Sequence, residues 1–187
     1  MIINLRGTNG SGKSTVARAL MGTDPEEVEL AEFQTPAGKW RQVIGYRNPA
    51  LGLIVVGPYR TDCGGCDGVK TQDLICEAVT SAAKDFNQHV FFEGVIVSTL
   101  FSRYAKLADE LGRDEFVFAY LDTPLAVCLK RIQKRNGGKP IKEDLVADKV
   151  RAINSTRHKA DAAGYRVEVL PYRSATERIL EMINEDR

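Results

Sequence analysis

The sequence predicts an α/β fold: a mainly parallel, five-stranded sheet with helices on both faces. Three observations predict it. Apolar, β-branched runs alternate with helix-period segments along the chain. The segment Gly7-Thr8-Asn9-Gly10-Ser11-Gly12-Lys13-Ser14 fits G-x-x-x-x-G-K-[ST], the phosphate-loop pattern, and stands between a strand-like and a helix-like run as that pattern requires. Polar and glycine-rich residues follow directly on several apolar runs, at the edge where an open parallel sheet binds its ligands.

The elements can be justified in order. Residues 1–6 form a short apolar run with two β-branched residues and read as a buried strand. Residues 16–21 are good helix formers and stop at Gly22. Residues 23–27 read as a turn into a short acidic piece. Residues 39–46 and 51–56 read as strands about an Asn48-Pro49-Ala50 turn. They make a hairpin beside the phosphate-loop strand, or one whose second arm joins the parallel core. Residues 57–68 are a long irregular loop. A helix is expected over 70–86, with Leu74, Ile75, Ala78, Val79 and Ala82 on one face. Residues 90–92 are a buried strand ending at Glu93-Gly94. One helix over 98–111, a strand over 115–121 and a helix from Pro124 to Arg135 follow, the proline suiting a first turn. A charged helix over 142–163, a strand over 165–170 and a helix over 175–185 complete the chain. No repeat, low-complexity tract or linker interrupts it, and 187 residues are expected to form a single domain, 1–187.

Composition narrows the function classes. The 26 Lys and Arg balance 25 Asp and Glu, so net charge demands neither nucleic acid nor membrane as partner, while a local basic patch is allowed. No run approaches the ~18 apolar residues of a spanning helix. The N-terminus lacks the basic start and small-residue cleavage site of a signal peptide. A cytoplasmic protein without membrane contact is expected. Cys63-Gly-Gly-Cys66 has C-x-x-C spacing, but Cys76 and Cys128 are too scattered to make a second pair, so reduced structural thiols are favoured over metal or redox roles. His89 and His158 have no ligand partner at metal spacing.

The phosphate loop carries the clearest chemistry. Its glycines let backbone approach phosphate oxygens, and its N–H groups with the helix N-terminus create a site for negative charge. Thr8, Asn9, Gly10, Ser11, Gly12, Lys13, Ser14 and Thr15 are therefore the nucleotide-binding candidates. Lys13 can reach β- and γ-phosphates, and Ser14 can offer its hydroxyl to Mg²⁺. Glu93, at a strand end, is the candidate carboxylate for Mg²⁺ or its waters, where an Asp is more usual. Acceptor activation needs a carboxylate as well. Asp67 is the first choice and Asp62 the alternative, with Tyr59 and Arg60 as acceptor contacts by stacking or phosphate binding. Arg131 and Arg135, at i and i+4, share a helix face and can neutralise charge on a moving phosphoryl group. Arg103 is a further candidate on the acceptor side. The charges over 144–159 read as a solvated helix face.

With GTNGSGKST, Phe92-Glu93-Gly94 and Tyr120-Leu121-Asp122-Thr123-Pro124 leading to Arg131 and Arg135 in view, the chain resembles the P-loop kinases related to nucleoside and nucleotide kinases. The resemblance covers most of the length. It implies the three-layer P-loop NTPase fold, a kinase-type lid bearing the arginines, and ATP with Mg²⁺. A narrower resemblance joins the Gly-Cys-rich stretch over 59–72 to Phe92-Glu93-Gly94-Val95-Ile96-Val97-Ser98. It is to small phage-encoded P-loop kinases, some of which phosphorylate 5-hydroxymethyluracil within DNA. It implies a hydroxyl on a base as acceptor, DNA as a substrate and host cytoplasm as the location. A small-metabolite kinase is the alternative. A GTPase-type switch would carry Asn-Lys-x-Asp, and no such string occurs. A ring ATPase would want an Asp-Glu pair after residues 90–92, which is also missing.

Overall fold

A computed structural model of the chain describes residues 1–61 and 64–186. The strands are β1 (Ile2–Arg6), β2 (Glu26–Gln34), β3 (Trp40–Asn48), β4 (Leu53–Val56), β5 (His89–Glu93), β6 (Phe116–Asp122) and β7 (Arg166–Pro171). The α-helices are α1 (Lys13–Met21), α2 (Gln72–Lys84), α3 (Val95–Thr99), α4 (Ser102–Leu111), α5 (Leu125–Arg135), α6 (Glu143–Ala162) and α7 (Ala175–Glu185). Among the described residues the strands form one sheet in the order β2-β3-β4-β5-β1-β6-β7. Strands β4, β5, β1, β6 and β7 are parallel, and β2 and β3 add an antiparallel extension.

The parallel part has the five strands expected, but the whole sheet has seven. The second arm of the β3–β4 hairpin joins the parallel core beside β5, resolving the open alternative. The strand that the sequence reading did not anticipate is β2, Glu-Glu-Val-Glu-Leu-Ala-Glu-Phe-Gln. Its register shifts between Glu29 and Ala31, so a bulge breaks the alternation by which a strand is recognised, and glutamate is itself depleted in strands.

Strand alternation divides the core in two. Ile2, Phe92, Phe116 and Phe118 pack with Ile75, Ala78 and Val79 of α2, with Tyr104 and Ala108 of α4, and with Ile153 of α6. Ile3, Leu5, Phe91 and Val117 face the other way, against Leu20 of α1 and Ile179 and Met182 of α7. These two cores and the sheet between them give the three layers. The single helix expected over 98–111 is instead α3 and α4 with a break at Leu100-Phe101. The cause is Arg6, whose guanidinium donates to the carbonyls of Ser98 (3.4 Å) and Leu100 (3.2 Å). The charges over 144–159 do lie on a solvated face of α6, with Asp144, Asp148, Lys149, Arg151 and Lys159 exposed, while Val146, Ile153, Thr156 and Ala160 are buried on its inner side. No helix among the described residues is long and apolar enough to cross a membrane.

Candidate active site

Parallel pairing brings the functional strand ends together. Leu5 of β1 pairs in register with Glu93 of β5, and Arg6 with Tyr120 of β6. The phosphate loop thus leaves β1 between the carboxyl ends of β5 and β6. A cleft of about 660 Å³ opens there, lined by Thr8, Asn9, Gly10, Gly12, Lys13, Ser14 and Thr15 on one side. Arg60, Thr61, Gly64 and Asp67 line it from the loop after β4, with Glu93, Arg131 and Arg135 completing the wall. Two strand ends and the long loop, all marked by the sequence, therefore converge on one cavity.

The loop is held from several directions. Ser98 accepts the Gly7 N–H at 3.1 Å and donates to the Gly94 carbonyl at 2.5 Å, bridging the ends of β1 and β5. Thr123, just past β6, donates to the Ser11 carbonyl at 2.9 Å. Arg131 donates to the carbonyls of Gly10 (3.1 Å) and Ser11 (3.0 Å). Lys149 on α6 donates to the Asn9 side chain at 3.0 Å. Gly10 has φ +75, and a Cβ there would lie 2.5 Å from the Cys128 carbonyl, so α5 seats directly against the loop backbone and excludes a side chain.

Lys13 is 5% exposed and donates to the carbonyls of Gly7 (2.9 Å) and Thr8 (3.2 Å), with the Glu93 carboxylate 4.0 Å away. Burial pushes the Lys13 ammonium below its ordinary value, and Glu93 opposes that shift. Glu93 is 1% exposed; its Oε1 accepts from Ser14 Oγ at 2.9 Å and from the Tyr59 hydroxyl at 3.3 Å. Burial pushes this carboxyl above the usual range, against the pull of Lys13 and of its hydrogen-bond donors. Gly65, at φ +80, is the close approach that lets the loop after β4 pass Glu93: a Cβ would fall 2.6 Å from Glu93 Oε1.

The nucleotide and metal implied by the sequence suit these groups. Thr8 Oγ1 and Ser11 Oγ are buried with no hydrogen-bond partner among the described residues, which suits a polar ligand. The Ser14 hydroxyl and Glu93 carboxylate are adjacent hard oxygens, the donor type that Mg²⁺ takes alongside phosphate and water.

Other candidates fare differently. Asp67 reaches the cleft but also accepts the N–H groups of Val95 (2.8 Å) and Ile96 (3.1 Å), capping α3. Tyr59 is buried under the loop and serves Glu93; it does not present a stacking face to the cleft. Arg60 is exposed at the rim and pairs with Glu27 at 3.7 Å. Arg103 is not among the cleft-lining residues and is paired with Asp73 of α2. Asp62 and Cys63 lie outside the described residues. Cys66 is buried, its thiol pushed well up by burial.

The sequence reading missed Arg6. It is fully buried, donates to Asn4 Oδ1 at 2.5 Å, and sits over the rings of Phe118 (4.8 Å), Tyr104 (5.6 Å) and Tyr120 (5.9 Å). Burial pushes it down to about 10. Thr156 extends the network, donating to the Ser98 carbonyl at 3.2 Å. The available signal was an arginine ending an apolar strand just before the phosphate loop, where a charged residue needs a reason.

Comparison with known proteins decides the family. The chain matches the family described as 5-hmdU DNA kinase over residues 1–183. It belongs to the 5-hmdU DNA kinase family. A 5-hmdU DNA kinase of Pseudomonas phage M6 is 38% identical over 187 residues, covering 97% of this chain and 96% of the relative. A 5-hmdU DNA kinase 1 of Salmonella phage ViI is 34% identical over 160 residues, covering 83% and 69%. The fold resembles the crystal structure of a gluconokinase from Sinorhizobium meliloti 1021, at TM-score 0.52 and 14% identity over 98% of this chain and 91% of that one. The chain is therefore a P-loop kinase, and membership of this family implies ATP as donor.

Proposed function

We propose that the chain transfers the γ-phosphoryl group of ATP to the 5-hydroxymethyl oxygen of 5-hydroxymethyldeoxyuridine within phage DNA, with Mg²⁺, in the host cytoplasm. One observation carries this reading. The residues that suit the donor and the loop that suits an acceptor open on the same cleft, in a chain similar almost end to end to a phage 5-hmdU DNA kinase.

Lys13 and the N–H groups of the first turn of α1 hold the β- and γ-phosphates and draw charge toward the bridging oxygen. Ser14 and Glu93 would hold Mg²⁺, which would neutralise charge on the phosphate oxygens when bound. Tyr59 donates to Glu93 and keeps the carboxylate turned toward Ser14. Asp67 orients the acceptor hydroxyl and takes its proton as the new O–P bond forms and the old bridging bond breaks. Arg131 and Arg135 close from the lid side, where their charges meet the transferring oxygens. Catalysis of this type is mainly positioning and electrostatics. Arg60, at the rim, suits a phosphate of the acceptor strand.

Incubation with γ-labelled ATP and a panel of acceptors tests the reading. The panel holds DNA with 5-hydroxymethyluracil, the same DNA with thymine, the free nucleoside and gluconate. Label on the hydroxymethylated DNA alone is the expected result. Label on gluconate or free nucleoside with none on DNA would overturn it.

A further inference from the structure

A second cavity, of about 190 Å³, adjoins the cleft and shares Pro58, Arg60 and Gly68 with it. It is walled by Phe33 of β2, by Val43 and Ile44 of β3, and by Val69, with Gln42 and Lys70 at its polar edge. None of these residues has a part in the donor site. The cavity is smaller than the ~300–1,000 Å³ of a site for a whole ligand, and suits a single ring. The Lys70 ammonium stands 5.6 Å from the centre of the Phe33 ring, leaving the cavity with an aromatic wall, aliphatic sides and polar groups at one rim.

We infer that this cavity receives the acceptor base, a pyrimidine turned out of the DNA strand, with its hydroxymethyl arm crossing the shared border toward Asp67. The inference rests on the DNA-kinase reading and names the subsite that reading leaves open. A base inside a duplex cannot present its substituent to an atom at the bottom of a cleft, so chemistry on it requires extrusion. An extruded pyrimidine offers a flat ring for Phe33 and imide oxygens and an N–H for the rim. Gln42 has the matching amide, now turned to Glu32 at 3.5 Å, and Arg60 is turned to Glu27 at 3.7 Å. Both are long, exposed contacts that a base edge or a strand phosphate can replace. Gly68 borders both cavities beside Asp67, so a substituent on the ring points from one cavity into the other.

The hairpin that walls the cavity also offers a grip on the strand. Trp40, at the start of β3, is 68% exposed and stands between Lys39 and Arg41. An exposed indole flanked by cations fits a base stack and its phosphates. The four glutamates of β2 outnumber Lys39, Arg41 and Arg47, so stacking and not the hairpin's charge carries this contact.

The test compares wild type with Gln42→Ala, Phe33→Ala and Trp40→Ala on a duplex bearing one 5-hydroxymethyluracil next to 2-aminopurine. Wild type should raise 2-aminopurine fluorescence on binding. Phe33→Ala and Gln42→Ala should raise KM for DNA by about tenfold or more, with KM for ATP unchanged. Trp40→Ala should raise KM for DNA by less. Gln42 and Trp40 are exposed, so their variants decide the matter if Phe33→Ala does not fold. Wild-type KM for DNA in the Gln42 and Phe33 variants, or in Gln42→Ala alone where Phe33→Ala is unfolded, overturns the base subsite while leaving the DNA-kinase reading standing. Flat 2-aminopurine fluorescence in an active wild type overturns extrusion. No label on DNA from wild type overturns the DNA-kinase reading itself.

Discussion

The two sides of the cleft are built differently. On the donor side the loop over 7–14 is tied by side chains from four separate helices or strand ends: Ser98, Thr123, Arg131 and Lys149. Lys13 is buried and its ammonium is held by the carbonyls of Gly7 and Thr8. The loop after β4 is held mainly at its base, where Cys66 and Tyr59 are buried and Asp67 is anchored on α3. Higher up, Arg18 of α1 donates to the backbone carbonyls of Tyr59 (3.3 Å) and Thr61, while the Arg60 side chain is 70% exposed and pairs with Glu27 at 3.7 Å. On the proposed reading, the contrast between the buried loop over 7–14 and the exposed Arg60 rim follows from what each side binds. A triphosphate is one fixed shape, and preorganised donors act on it without reorganising. A base within a polymer must enter, turn and leave, which a wall locked on every side would forbid.

The contrast can be broken in order of expected size. Lys13→Ala should lower phosphoryl transfer by ~10³-fold or more with the far-UV circular dichroism unchanged, since the chief preorganised cation is removed. An active Lys13→Ala enzyme would contradict the donor assignment. Asp67 has two roles that paired variants separate. Asp67→Asn keeps one of the two oxygens that cap α3, and kcat should fall by ~10²-fold as the base is lost. Asp67→Ala should add a stability loss of about 1 kcal/mol, read by denaturant unfolding. Near-wild-type kcat in the asparagine variant would reduce Asp67 to a cap.

Smaller effects sharpen the boundary of the site. Arg131→Ala removes the two bonds that hold the Gly10 and Ser11 carbonyls and a charge beside the transferring group, so KM for ATP should rise by about tenfold and kcat should fall, while KM for DNA holds steady. Equal rises in both constants would place Arg131 on the shared wall. Arg103→Ala should leave kcat and both KM values within about twofold, because its partner Asp73 is exposed and neither lines the cleft. A large loss of DNA phosphorylation in that variant would return Arg103 to the acceptor side.

Legibility in the sequence follows the same divide. The donor side was readable because its pattern is local: eight consecutive residues between a strand and a helix define it. The place of Glu93 on the cleft wall was readable because strand ends are where ligands meet a parallel sheet. Tyr59 was misjudged because a loop tyrosine gives no sign that glycines on either side will let it sink beneath the chain. Arg6 was invisible because its cage comes from α4 and β6, more than ninety residues distant, and only folding assembles it. Strand β2 was hidden by its bulge and its glutamates. With it went the second cavity, which β2 and β3 wall.

One measurement bears most directly on whether the two sides make one site for phosphorylating a base. Wild-type enzyme and γ-labelled ATP are mixed in a single turnover with a duplex carrying one 5-hydroxymethyluracil, with its 5′ ends blocked, and the digested nucleosides are resolved. The expected result is label on the hydroxymethyl oxygen of that nucleotide and none on the thymine control. Label on the thymine duplex, or none on the hydroxymethyl oxygen of the modified duplex, would contradict it.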